Sequence, residues 1–100
     1  LVRVVGTAAL RQAKNAQDII KTIESQLGKK VEVIKGVEEA SLIYSAVAAQ
    51  TADINARLVI DVGGASTELA ISDTDGQRVC SLPFGRNAMA GIKTLSPISQ

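Results

Sequence analysis

The hydrophobic positions of this chain change their spacing several times, and each change marks the border of a predicted element. Leu1-Val-Arg-Val-Val5 is a β-branched run closed by Gly6 and Thr7, which predicts a buried strand. Thr7 is placed to cap a brief helical turn over Ala8–Ala13. Asn15 reads as the next N-cap, and Asp18 stands at the third helical position, where a negative charge suits the positive helix end. Ala16, Ile19, Ile20, Ile23 and Leu27 follow at offsets of 3, 4, 7 and 11, one apolar face of an amphipathic helix. Gly28 supplies the stop, and Lys29 and Lys30 suit the negative end of the dipole.

Val31-Glu-Val-Ile-Lys35 alternates like a second strand, and Gly36 opens a turn. Glu38–Ala49 predicts a second long helix with Leu42, Ile43, Ala46 and Val47 as its buried side. Thr51–Arg57 is polar and unpatterned and reads as a linker. Leu58-Val-Ile-Asp-Val62 predicts a third strand, and strand character resumes at Glu68–Ser72 after the segment Gly63–Thr67. Asp73-Thr-Asp-Gly76 is a hairpin turn with Gly76 available for a positive φ, Arg78–Phe84 is the return strand, and Asn87–Leu95 predicts a last helix.

This order is α/β. Crossover helices in the first half imply parallel strands, and the second half is an antiparallel meander. The predicted division is an α/β unit over residues 1–50, a connection over 51–57 and a second unit over 58–100.

Composition narrows the chemistry. Hydrophobic residues make up 46% of the 100 positions and mean hydropathy is +0.19, enough for a core and too much for disorder. Tyr44 and Phe84 are the only aromatics, so aliphatic side chains fill that core, a composition that suggests a piece of something larger. There is no His, which excludes Ser-His-Asp and Cys-His catalysis and histidine metal sites. The lone Cys80 cannot form an internal disulfide or a zinc site, and reads as a small apolar residue of the hairpin. Eleven Lys+Arg against ten Asp+Glu leave +1, with no basic block for nucleic acid. No apolar run approaches the roughly 18 residues of a membrane span, and the expectation is a soluble, cytoplasmic protein. Chemistry falls to carboxylates, Arg and Lys, hydroxyls and backbone amides.

Asp61-Val-Gly-Gly-Ala-Ser-Thr-Glu68 is the sharpest candidate. A carboxylate ends an apolar strand, Gly63 and Gly64 let backbone N–H groups approach an anion, and Ser66 and Thr67 add hydroxyls. Asp61 and Glu68 bracket the loop, where they can hold Mg²⁺ directly or through its waters, so the octet suits a phosphate chain with its metal. The plainer reading is a hairpin turn with Asp61 bonding nearby amides. Glu38 and Glu39 open a helix as ordinary dipole partners, or one faces a cleft and activates water while the other caps. Arg11, in a turn just past a strand end, is a phosphate fork or a solvated surface cation. Lys29, Lys30 and Lys35 read as solvated charges.

The order of these blocks resembles the exopolyphosphatase/guanosine pentaphosphate phosphatase family of the actin-like ATPase and sugar-kinase superfamily. The resemblance rests on Thr7-Ala-Ala-Leu-Arg-Gln-Ala-Lys-Asn15, on Val33-Ile-Lys-Gly-Val-Glu-Glu-Ala40 with Leu42-Ile43-Tyr44, and on Leu58-Val-Ile-Asp-Val-Gly-Gly-Ala-Ser-Thr-Glu-Leu69. Leu82-Pro-Phe-Gly85 extends it weakly. It implies a ribonuclease H-like, two-lobed actin-like ATPase fold, of which this chain holds the end of lobe one and the first hairpin of lobe two.

The resemblance further implies Mg²⁺-dependent hydrolysis of a terminal phosphoanhydride in polyphosphate or guanosine pentaphosphate (pppGpp). Glu39 would be the base that activates water and Arg11 the ligand of the transferred phosphate. Gly63, Gly64, Ala65, Ser66 and Thr67 would line the phosphate loop, with Asp61 and Glu68 at the metal. Ala65 stands where the family has a third Gly, and Lys35 stands where a Ser is common. The family's first phosphate loop, Asp-x-Gly-Ser-Asn-Ser, has no match in these 100 residues. The isolated chain is therefore expected to lack substantial activity. A non-catalytic phosphate- or nucleotide-binding module and an ATP-using actin-like relative are the alternatives, and a homodimer is one oligomeric state left open.

Overall fold

The structure, a computed structural model, describes residues 1–51 and 55–89. Strand β1 (Val4–Gly6) leads into a short helix α1 (Ala8–Gln12) and a longer helix α2 (Ala16–Leu27), and strand β2 (Val31–Val33) returns beside β1. The two strands are parallel, with Val4 opposite Val31 and Gly6 opposite Val33, as crossover helices require. Helix α3 (Gly36–Gln50) leaves β2 for a second sheet, the antiparallel meander β3 (Arg57–Val62), β4 (Thr67–Asp73) and β5 (Gly76–Leu82). Helix α4 (Arg86–Met89) follows, and the remainder of the expected last helix lies outside the described residues. The resulting architecture is mixed α/β, one parallel pair and one antiparallel meander.

Local signals act where predicted at two glycines. Gly28 ends α2 with φ 64° and donates to the carbonyl of Glu24, and Gly76 takes φ 111° in the β4–β5 turn. Other expectations change. Leu1 and Val2 precede β1 and are exposed, so the first strand is shorter than its β-branched run. Thr7 and Asn15 occupy N-cap positions without a side-chain capping bond. Gly63 and Gly64 do not use positive φ. Arg57 belongs to β3 rather than to a linker, and Cys80 is exposed rather than buried.

Helix α3 organises the second sheet by packing across β3, β4 and β5. Its covered stripe is Ala40, Ile43, Tyr44, Val47 and Ala48, at helical offsets of 3, 4, 7 and 8. Leu42 and Ala46, expected to be buried, face away. On the sheet, alternation puts Val59, Glu68 and Ala70 on the covered face, while Leu58, Ile60 and Val62 are exposed on the other. In α2 only Ile20 is fully buried; Ile19 and Leu27 are exposed.

Candidate functional site

Antiparallel register sets the first part of the site. The β3–β4 pairing places Asp61 directly opposite Glu68, and the β4–β5 pairing places Glu68 directly opposite Ser81. Directly paired residues project from the same sheet face, so the three form one row on the side that α3 covers. Glu68 is 2% exposed. Its Oε1 accepts a 2.8 Å hydrogen bond from Ser81 Oγ, while its Oε2 is buried without a partner among the described residues.

The first turn of α3 brings the next carboxylate. Neighbours on a helix diverge, and Glu38 and Glu39 do so here. Glu38 points outward to Arg3 at 3.4 Å, whereas Glu39 points inward. One carboxylate oxygen each from Glu39, Asp61 and Glu68 lies within 4.8 Å of the others. Arg11 approaches from α1. Its Nη1 donates to the carbonyl of Ile34 at 2.7 Å and its Nη2 to Oε2 of Glu39 at 3.1 Å. Arg11 is therefore a fixed, part-buried cation beside an acidic cluster, not a solvated one.

The segment between β3 and β4 closes tightly, with the Gly63 N–H donating to the Ser66 carbonyl at 2.9 Å. A Cβ on Gly63 would come within 3.1 Å of that same oxygen, so this glycine serves close approach. Ala65 sits here without positive φ, which explains why a methyl is accommodated. The start of α4 holds the outer side of the turn, Arg86 and Asn87 N–H donating to the carbonyls of Gly63 and Gly64 at 2.9 Å each. Ser66 and Thr67 are buried, and the Thr67 hydroxyl donates to the Phe84 carbonyl at 2.9 Å. Gln12 Nε2 reaches the Ala65 carbonyl at 3.4 Å, so the helix that carries Arg11 touches this loop.

The cluster has the chemistry of a hard-cation site. Mg²⁺ takes oxygen ligands, commonly one or two carboxylates plus waters and phosphate oxygens. A buried carboxylate oxygen without a hydrogen bond is strongly unfavourable, and Glu68 Oε2 is such an atom. A divalent cation held by Asp61 and Glu68 would satisfy it and would offset the repulsion among the three carboxylates. Asp61 and Glu68 thus fit the group expected from the sequence, with the Glu39 carboxylate beside them.

Sequence reasoning assigned no site role to Ser81, Gly36, Gln12 or Asn87, although Gly36 and Gln12 stand inside blocks that carry the resemblance. Ser81 carried a readable signal: the Asp73–Gly76 turn sets the β4–β5 register, and counting back from it pairs Ser81 with Glu68. Gln12 and Asn87 carried none, because their partners are far along the chain.

Residues 1–91 match the profile of the Ppx/GppA phosphatase family. The chain belongs to that family. Among curated Ppx/GppA relatives, it is 47% identical over 85 residues to the guanosine-5′-triphosphate,3′-diphosphate pyrophosphatase of Photobacterium profundum, and 45% identical over 85 residues to that of Vibrio cholerae. Each alignment covers 84% of this chain and 17% of the relative, so the chain spans about a sixth of their length. Solved structures of the Aquifex aeolicus Ppx/GppA member share its fold. One superposes with a TM-score of 0.72 at 34% identity over 98% of this chain and 33% of its own. Another gives 0.75 at 33% identity over 95% and 32%.

Proposed function

We propose that a protein carrying this chain is a phosphatase that hydrolyses the terminal phosphoanhydride of pppGpp or of inorganic polyphosphate. The observation that carries the proposal is the convergence of Glu39, Asp61 and Glu68 with Arg11 bonded to Glu39. Phosphoryl transfer to water needs an in-line nucleophile and charge neutralisation more than covalent help. Glu39 has the carboxylate to orient a water and accept its proton. Arg11 has a planar fork that matches phosphate oxygens, and a phosphoryl group at the site would compete with Glu39 for it. Backbone N–H groups of the Gly63–Thr67 loop other than that of Gly63, which the Ser66 carbonyl holds, would line the phosphate chain. Asp61 and Glu68 would hold Mg²⁺, which supplies charge neutralisation to the phosphate oxygens and the leaving group when bound. The names of the Photobacterium and Vibrio relatives favour pppGpp, while one similar solved structure is called exopolyphosphatase-like, which keeps polyphosphate beside it. Cytoplasmic location is part of the same proposal; among the described residues no helix is long and apolar enough to cross a membrane.

The test is a graft. The matching segment of the Vibrio cholerae relative is replaced by this chain, and phosphate release from pppGpp and from polyphosphate is measured. Hydrolysis by the graft that disappears with Glu39→Gln supports the proposal. A folded graft that binds pppGpp without turnover overturns it in favour of a binding module. The 100-residue chain alone is expected to release no substantial phosphate.

A further inference from the structure

Ser81 lies in β5, outside every block that carries the family resemblance by residue type and spacing, yet it touches the most buried acid of the site. Its hydroxyl donates to Glu68 Oε1 at 2.8 Å. That bond leaves Oε2 as the oxygen without a partner among the described residues. A carboxylate on a strand can rotate about its terminal torsion, which is broad and roughly two-fold. Ser81 removes that freedom by occupying one of the two oxygens.

Gly36, the first residue of α3, accounts for how Ser81 comes so close. A Cβ built on Gly36 would collide with both Oγ and Cβ of Ser81, and would stand 3.8 Å from Arg11 Nη2. Glycine at this position therefore lets the N-terminal turn of α3 rest directly on Ser81. Glu39 is three residues further along the same turn. One small side chain thus bears on both partners: it bonds Glu68 and supports the helix end that delivers Glu39.

Resting on the metal-site reading above, we propose that Ser81 is a positioning residue for a divalent cation held by Asp61 and Glu68, and that Gly36 is the residue that admits it. Hydrogen bonds to the carboxylates that ligate a metal typically change affinity by about 10- to 100-fold when removed.

The experiment is a Mn²⁺ titration of the 100-residue chain by calorimetry, with far-ultraviolet circular dichroism to establish folding. Ser81→Ala is expected to weaken Mn²⁺ binding by about tenfold or more. Ser81→Thr, which keeps the hydroxyl, is expected to stay within about threefold of the parent chain, a rescue that packing alone would not give. Equal affinity in all three chains, or equal losses in the Ala and Thr variants, overturns the proposal and leaves the metal site standing. A parent chain that binds no Mn²⁺ overturns both. If Ser81→Ala does not fold, Ser81→Cys decides, because it keeps the unbranched shape with a far weaker donor: a tenfold loss supports the role, and unchanged affinity removes it.

Discussion

Arg11 and Glu39, separated by 28 positions, are joined by a 3.1 Å bond from Nη2 to Oε2. The same guanidinium donates through Nη1 to the Ile34 carbonyl at the end of β2, so one planar fork ties α1, β2 and α3 together. Both side chains are mostly buried, 23% and 14% exposed. The contact thus ties these elements together beside the acidic cluster and keeps a cation there, where the proposed function would have a phosphoryl group arrive.

Arg11→Ala is expected to lower stability by about 2 kcal/mol, the scale of a charged hydrogen bond lost from a part-buried site. Arg11→Lys should recover only part of this, because an ammonium cannot reproduce the fork that serves two acceptors in fixed geometry. Urea unfolding of the three chains measures both. Lys equal to Arg would refute the two-acceptor account.

Glu39→Gln keeps the shape of the side chain and removes its basicity. In the graft described above, turnover is expected to fall by about 100-fold or more while KM changes little. Single-turnover phosphate release at saturating substrate reads this directly. A rise in KM at unchanged turnover would assign Glu39 to substrate binding instead.

Asp61→Asn removes one charge from the cluster. Mg²⁺ at tenfold above its Kd is expected to stabilise the parent chain by about 1.4 kcal/mol and the variant much less. Without Mg²⁺ the variant should be at least as stable as the parent, since a like charge has gone. Thermal melts with and without Mg²⁺ compare the two, and equal Mg²⁺ responses would remove Asp61 from the site.

Gly85→Ala tests the turn. A Cβ there would collide with the Gly63 carbonyl oxygen and approach the Gly64 carbonyl at 2.9 Å, backbone atoms that cannot swing aside. The expected cost is about 1–3 kcal/mol. Gly28→Ala makes a useful contrast. It meets no atom within 4 Å, and its cost comes only from φ 64°.

Tyr44, the sole tyrosine, has its phenol pushed below the ordinary 10.0, first by a hydrogen bond with Ser72 and then by Arg57. The Arg57 guanidinium also lies 5.8 Å from the centre of its ring. With the folded value depressed, the unfolded chain binds more protons in the window just below 10.0. Stability therefore rises with pH there, and the contribution is lost as pH falls through the folded value. Tyrosinate absorbance of the folded chain should titrate below 10.0, and Ser72→Ala should move the midpoint up. Coincident titrations of folded chain and variant would contradict the Tyr44–Ser72 contact.

Periodicity and turn chemistry made most of the elements legible. The stop at Gly28, the positive φ at Gly76 and the parallel-then-antiparallel order all follow from local sterics that a sequence displays. The buried side of α3 did not. Ala40, Ile43, Tyr44, Val47 and Ala48 and the stripe expected around Leu42 and Ala46 are both apolar, and only the position of the meander selects between them. The same holds for Leu58 and Val59, neighbours in one apolar strand of which α3 covers only the second.

For the candidate site, the sequence alone determined the residue types, their order and the membership of the Asp61–Glu68 block in a recognisable pattern. It also determined that Asp61 and Glu68 are close, because a short loop in a hairpin fixes register. Tertiary structure decided the rest. Which of Glu38 and Glu39 turns inward, open on the residues themselves and implied to be Glu39 only by the resemblance, depends on where α3 docks, and Gly36 meets Ser81 there across 45 positions of sequence. The pairing of Arg11 with Glu39 likewise needs β1 and β2 aligned before the fork can reach both Ile34 and α3. Local propensity acts over a turn of chain, whereas a carboxylate cluster is assembled by packing surfaces that meet only once the sheets and helices are in place.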